Sequence, residues 1–321
     1  MCYSAMVEQS LKNLGMRFDA RIDISIMEDI FNRRARGEKI SLSKAFEYNF
    51  MDPQSAPEKG ILKNILEFRS WQITQLESEM FTQITRLNVA NEAVKKKPLK
   101  PTKKSLQEQA VSQRQIDRIK KRLEKFKSEK LAENDSRIYS YDWAPVLIWQ
   151  NGERVIVPMR YHLRPPGMQE SFDRTYPGCY NARRDSLNGF WSKEFGQKHA
   201  IILISSFFEN VKLHDLENRS LAENESEKNV VLQFIPEGTD YMIVPCIWDH
   251  WEGKDKAFDS FAMITDEPPP EVRSTGHDRC PIFLNEVRID DWLRPQGKSS
   301  VELFSILNDR QRPLYKHAIA G

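Results

Sequence analysis

The spacing of apolar positions divides the chain into a helical first part and a strand-rich remainder. Ile22, Ile26, Met27, Ile30 and Phe31 recur at three- and four-residue intervals, and so do Leu62, Ile65, Leu66 and, with one polar slip, Phe68, Trp71, Gln72 and Leu76. That interval lines up one face of a helix. Residues 49–53 and 55–57 between these stretches carry turn chemistry, and Pro57 is suited to the first turn of the second helix. Residues 94–104 are basic and contain Pro98 and Pro101, which cannot propagate a helix, so they read as an extended connection. A helical stripe returns at Ile116, Ile119, Leu123 and Phe126, with Arg114, Arg118, Lys120, Lys121, Arg122, Lys125 and Lys127 on the other faces. A hairpin with an earlier helix and a seat along a nucleic-acid backbone both fit this pattern; the hairpin is favoured, because a basic helix face is commonly a solvated one.

At residues 133–136 the pattern changes. Residues 144–149 and 154–159 are apolar runs flanking Asn151-Gly152, the signature of a β-hairpin. Further strands are expected at 200–208, 230–234, 241–248 and 260–265, with a short helix at 187–195 and polar loops such as 217–229. The fold class that follows is α+β: a β-rich part of mainly antiparallel strands with short helices, contiguous from about residue 137, preceded by a helical part.

Composition narrows the function classes. A chain of 321 residues can form one large domain or two ordinary ones. Its charged residues, 29% of the total, nearly cancel to a net +2, so any polyanion binding has to come from local clusters. The four cysteines, Cys2, Cys179, Cys246 and Cys280, form no CxxC pair, which argues against a zinc knuckle, a redox dithiol or a disulfide scaffold and makes a reducing cytoplasm the simplest setting. No signal peptide or membrane span is legible. The histidines show no metal-ligand spacing, and there is no Gly-rich phosphate loop or GxSxG elbow, so neither a metal nor a cofactor is expected.

The candidate chemistry begins at Cys2. Removal of Met1 would leave one residue with a thiol and a free α-amine, both nucleophilic near neutral pH, able to capture an aldehyde as an imine and close a thiazolidine ring. The plain alternative is a small residue on an ordinary terminus. Downstream, Asn181 with Arg183 and Arg184 follows a Pro-Gly turn and offers a neutral donor and acceptor beside two phosphate-matching forks; two surface arginines in a loop would look the same. Glu209 ends an apolar run after Phe207 and Phe208, which suits a proton carrier, although a strand-end Glu can simply reach water. Arg160 and Tyr161 pair a cation with an aromatic, as used to stack a base and hold its phosphate, or as an ordinary structural tyrosine. His277, after Gly276 and before Pro281, is held by a stiff turn and exchanges protons near pH 7, unless it is only a surface loop residue.

Met1-Cys2, Tyr180 to Arg183, Phe207 to Glu209 and His277 to Pro281 stand in the order of the motifs of the SOS response-associated peptidase (SRAP) family, which the chain resembles over its first residues and roughly 137 to 295. Supporting similarity lies at residues 144–146 and 158–161. The resemblance implies a catalytic domain of residues 1–8 and 137–321, with a helical insertion at 9–136. It implies a self-processing peptidase that sheds Met1, binds single-stranded DNA and cross-links to abasic sites through a thiazolidine, with lyase activity left open. On this basis Cys2 is the nucleophile, Asn181 positions its amine, Glu209 and His277 move protons, and Arg183, Arg184, Arg160 and Tyr161 hold DNA. Three departures stand out: Ser4 where many relatives place Arg, Tyr161 where Trp is common, and the insertion itself. The implied partner is single-stranded DNA carrying abasic sites, bound by a monomer in the cytoplasm, nucleoid-associated if bacterial; a protein partner for the insertion stays open. Two other readings stay open as well: a cysteine amidohydrolase acting on peptides in trans, and a non-enzymatic DNA-binding scaffold.

Overall fold

The computed structural model describes residues 3–96, 98 and 100–320. In chain order the elements are β1 (Ser4–Val7), α1 (Leu11–Phe18), β2 (Arg21–Ile22), α2 (Ile24–Ala35), β3 (Ser41–Leu42), α3 (Lys44–Tyr48), α4 (Ala56–Lys95) and α5 (Lys103–Lys127). There follow β4 (Arg137–Tyr139), β5 (Asp142–Gln150), β6 (Glu153–Tyr161), α6 (Phe172–Thr175), β7 (Asn181–Arg183), β8 (His199–Lys212), α7 (Leu213–Leu216), β9 (Asn229–Pro236), β10 (Met242–Glu252) and β11 (Ala257–Asp266). The chain ends with α8 (Pro270–Arg273), β12 (Cys280–Pro281), β13 (Phe283–Leu284), α9 (Ile289–Leu293), α10 (Ser300–Asn308), β14 (Arg310–Gln311) and β15 (Tyr315–Ile319). Helices and strands together make the fold α+β, as the periodicity implies. Two compact units emerge: a β-rich one from the residues up to Asp29, Lys39–Asp52 and the residues from Glu133 on, and a helical one from Ile30–Glu38 and Pro53–Ala132.

The β-rich unit is built on the expected hairpin. β5 and β6 pair antiparallel from Trp143↔Arg160 to Gln150↔Glu153, and the turn places Asn151 at φ 53° and Gly152 at φ 88°. Two consecutive left-handed residues are what a tight type I′ turn demands, and Asn-Gly supplies them with little strain. The first half of β8 pairs antiparallel with β10 (Ile204↔Met242 to His199↔Ile247) and, on its other edge, with β5 (Leu147↔Ile201, Ile148↔Ala200). Since β10 pairs β11 and β11 pairs β6, the circuit β8-β10-β11-β6-β5 closes on itself as a barrel. Closure leaves its strands no free edge.

The second half of β8 extends beyond the barrel and organises the rest. On one side it pairs with β9 from Phe207↔Phe234 to Lys212↔Asn229; on the other it pairs with β1, Ser4 opposite Phe208 and Ala5 opposite Phe207. β1 is flanked on its far side by β4, with Ser4 opposite Tyr139 and Met6 opposite Arg137. All four β1 residues are buried. Two details depart from the periodicity. Residues 187–195 form turns rather than a helix, and the stretch that reads as wholly helical contains β2 and β3, two-residue strands that pair parallel with β6 and β5.

In the helical unit, α4 runs for 40 residues from an N-cap at Ser55, whose hydroxyl accepts from the Glu58 N–H while the Glu58 carboxylate accepts from the Ser55 N–H. Pro57 sits in its first turn, where the missing N–H costs nothing. α5, capped by Thr102, packs on α4 through Leu76, Ile119 and Leu123, with Ile73, Met80 and Phe126 around them. The hairpin reading of the basic helix therefore holds, and its lysines and arginines stay on exposed faces. Lys97 and Leu99, within the basic connection, lie outside the described residues. Among the described residues, no helix is long and apolar enough to cross a membrane.

Candidate active site

Glu209 lies on β8 opposite Leu232 of β9, and is 0% exposed. Phe207, two residues earlier, stacks on Phe234 at 5.0 Å and meets Tyr315 edge-on, so the strand is fixed by aromatic packing up to the residue that carries the carboxylate. His277 comes from the other direction. After α8, the Thr275 hydroxyl donates to the Val272 carbonyl and the Gly276 N–H to the Arg273 carbonyl. Gly276 then turns through φ +86°, with Asp215 so near that a Cβ would meet it at 2.8 Å. Beyond His277 the chain is pinned again where Cys280 pairs with Asp266 of β11. Between these anchors His277, 8% exposed, places Nε2 3.0 Å from Glu209 Oε2.

The other imidazole nitrogen is provided for in either protonation state. The Arg279 N–H donates toward Nδ1 at 3.2 Å, and the Arg279 carbonyl oxygen lies 3.0 Å from the same nitrogen. A neutral ring carrying its proton on Nε2 accepts from that N–H, whereas an imidazolium donates to that carbonyl. Nδ1 of His277 is therefore satisfied whether the ring carries one proton or two.

Asn181 and Arg183 share β7, which pairs parallel with β11 at Met263 and Thr265. Asn181 is buried, while the Arg183 side chain is 47% exposed and donates to Asp185 at 2.8 and 3.3 Å. Arg184 donates to Asn308 Oδ1 at 2.7 Å and lies 3.7 Å from Asp266. Arg183, Arg184 and His277 line one cavity of about 650 Å³, together with Asp185, Arg273 and Arg279. Its arginines are matched by carboxylates: Arg279 also reaches Asp185, at 3.3 Å, and Arg273 reaches Glu267, at 3.3 Å.

Two expected DNA contacts are not brought to this surface. Tyr161 is 0% exposed, stacked on Phe261 at 5.2 Å and met edge-on by Tyr180; a ring with both faces in the core offers no platform to a base. Arg160 is buried too, donating to Asp173 at 2.8 Å and to the His162 carbonyl at 3.0 Å, with Phe258 beneath its guanidinium. Cys2 lies outside the described residues. The other cysteines are buried, and burial pushes each thiol up, Cys179 to about 12, so none of them presents a thiolate near neutral pH. Among the described residues no group of three or more His, Cys, Asp or Glu side chains has metal-holding geometry.

Sequence reasoning missed Arg137. It lies on β4, donates to Ser4 Oγ at 3.0 and 2.9 Å and to the Tyr3 hydroxyl at 3.0 Å, and covers the Phe208 ring at 3.5 Å. Ser4 is 133 residues away in the chain, so no local pattern could have linked the two.

Residues 105–319 match the family model described as SOS response associated peptidase (SRAP); the match begins inside α5 and runs through β15, with β1 outside it. Among solved structures, a Bacteroides thetaiotaomicron protein is similar over 57% of this chain and 76% of its own, at 16% identity and a TM-score of 0.45. A Bordetella bronchiseptica protein is similar over 63% of this chain and 95% of its own, at 17% identity and a TM-score of 0.45. A phage-related protein from Bordetella bronchiseptica is similar over 57% and 80%, at 11% identity and a TM-score of 0.43. Comparison with curated proteins gives no match.

Proposed function

Because the chain belongs to the SOS response associated peptidase family, whose family-level role is DNA-damage-associated processing of abasic sites by self-processing peptidases, we propose that it traps abasic sites in single-stranded DNA through Cys2. Hydrolysis of the Met1-Cys2 peptide bond frees the α-amine. The abasic sugar is a closed hemiacetal, so a proton must leave its O1 and another must reach the ring oxygen before C1 becomes an aldehyde. The amine then adds to C1, and the carbinolamine loses water to give the imine. The thiolate of the same residue adds to the imine carbon while the nitrogen takes up a proton, which closes the thiazolidine; the net change from aldehyde and aminothiol is the loss of one water. In this reading Glu209 and His277 carry these protons, Asn181 orients the amine, and Arg183 and Arg184 exchange their carboxylate partners for DNA phosphates.

The observation that carries the reading is the buried Glu209–His277 pair at the strand beside which β1 runs. β1 is antiparallel to β8 with Ser4 opposite Phe208, so toward its N-terminal end the strand heads along the stretch of β8 that holds Glu209. The pair thus lies next to the β1–β8 pairing of Ser4 with Phe208, which supports the reading. Incubation of the mature protein with an abasic-site oligonucleotide, followed by a denaturing gel, tests it. The expected result is a shifted band that is lost in Cys2→Ala; the absence of any Cys2-dependent band sinks the proposal, and peptide turnover in its place would point to an amidohydrolase.

A further inference from the structure

We propose that Arg137, Tyr139 and Tyr3 form a nucleotide subsite that holds a base and its phosphate in single-stranded DNA. The identity of the ligand rests on the function proposed above; the subsite itself rests on the following geometry.

Tyr139, Ser4 and Phe208 lie in one row across three paired strands, β4, β1 and β8. Arg137 stands over this row, its guanidinium 3.5 Å from the Phe208 ring centroid, 5.0 Å from that of Tyr139 and 5.8 Å from that of Tyr3. Stacked on aromatics and donating only to the hydroxyls of Ser4 and Tyr3, it has no carboxylate within ion-pair distance among the described residues. This separates it from the arginines around the cavity: Arg183, Arg184, Arg273 and Arg279 all have acidic partners. An anion reaching Arg137 meets hydroxyl partners rather than an internal carboxylate.

The aromatic half of the subsite is open to solvent. Tyr139 is 45% exposed, and Tyr3, half-buried, lies 6.1 Å from it at an interplanar angle of 46°. Exposed rings beside an unneutralised guanidinium are the elements by which proteins hold single strands, the ring taking a base face and the cation the phosphate. β1 contributes no cation of its own between Tyr3 and Val7, so the charge at this edge comes from β4. If Arg137 only braced β1 through Ser4, the contact would need neither an exposed tyrosine nor an uncompensated charge.

The test uses the full-length protein and fluorescence anisotropy with an intact oligodeoxynucleotide lacking an abasic site, titrated over a series of salt concentrations. Tyr139→Ala is expected to bind about 5- to 150-fold more weakly, the loss of one base–aromatic stack, while Tyr139→Phe keeps wild-type affinity. Arg137→Ala is expected to reduce the slope of log K against log salt by about 0.7, one phosphate contact on a single strand, and Arg137→Lys to retain it. The proposal is overturned if the wild type does not bind the intact strand, or if Tyr139→Ala and Arg137→Ala bind it as the wild type does. It is equally overturned if both Arg137 variants weaken binding at the wild-type slope, because Arg137 then only braces β1. Binding that responds to these variants while no Cys2-dependent cross-link forms would leave the subsite standing and remove the trapping reaction instead.

Discussion

Glu209 and His277 make different demands on a substitution. Glu209→Gln keeps the shape of a fully buried side chain but removes its ability to take a proton from Nε2 of His277, 3.0 Å away. Cross-link formation in single-turnover experiments should slow by about 10²- to 10⁴-fold, the usual contribution of a positioned acid or base, with the unfolding midpoint little changed; a wild-type rate would remove Glu209 from the chemistry. Two other histidines bear on stability. Burial holds His162 down at about 4 and His199 at about 3. His199 is fixed as the neutral tautomer, with Nδ1 toward the Trp292 carbonyl and Nε2 accepting from the Gly196 N–H. Their folded values lie below the unfolded value of about 6.5, so the unfolded chain binds more protons between pH 6.5 and 4. Stability should therefore fall as pH drops through that window, by up to about 1.4 kcal/mol per pH unit for each histidine. Urea midpoints at pH 7, 6 and 5 test this, and a flat profile would contradict it. Asn181, Glu209 and His277 each sit in a short local signature that sequence can single out, and the structure brings Glu209 and His277 together. Arg160 and Tyr161 were misjudged as surface contacts because Asp173 and Phe261, which bury and engage them, come from other parts of the chain.

The turn before His277 is where an element sets the chemistry. Gly276 adopts φ +86°, and a Cβ there would meet the Asp215 Cβ at 2.8 Å, so Gly276→Ala combines left-handed strain of about 1–2 kcal/mol with a clash against α7. The variant is expected to unfold at lower urea and to cross-link more slowly, because relief of the clash moves His277 away from Glu209. Loss of stability with an unchanged cross-linking rate would mean that the turn does not aim the imidazole. Elements with a local signal were legible in the same way: the Asn151-Gly152 hairpin, Pro57 opening α4, and the stripe of α5 on Leu76. β2 and β3 were not, because two residues cannot display a period and their pairing depends wholly on β6 and β5. Residues 187–195 have apolar positions at helical spacing, but Gly189 and Gly196, the latter at φ +85°, favour turns.

At the scale of the whole chain, the change of pattern at residues 133–136 marks a real change of structure, since β4 begins at Arg137 directly after it. The closure of the barrel was not legible, because it depends on β8 pairing with β5 and β10 at once, and register between distant strands leaves no trace in either one. All the described residues assigned to the reaction or to DNA contact, from Tyr3 and Arg137 to Asn181, Glu209 and His277, belong to the β-rich unit. The helical unit has its own cluster of Leu76, Ile119 and Leu123, so it can be perturbed without touching any of them. Ile119→Asp puts a carboxylate at a position 1% exposed, where no partner awaits it, and a buried unpaired charge is among the few changes that cost more than about 4 kcal/mol. The variant should become sensitive to limited proteolysis within residues 53–132, while its rate of cross-linking to an abasic-site oligonucleotide stays within about twofold of the wild type, well below the tenfold change that about 1.4 kcal/mol in the barrier produces. A fall of tenfold or more, with the β-rich unit still resistant to protease, would make the helical unit a working part of the reaction.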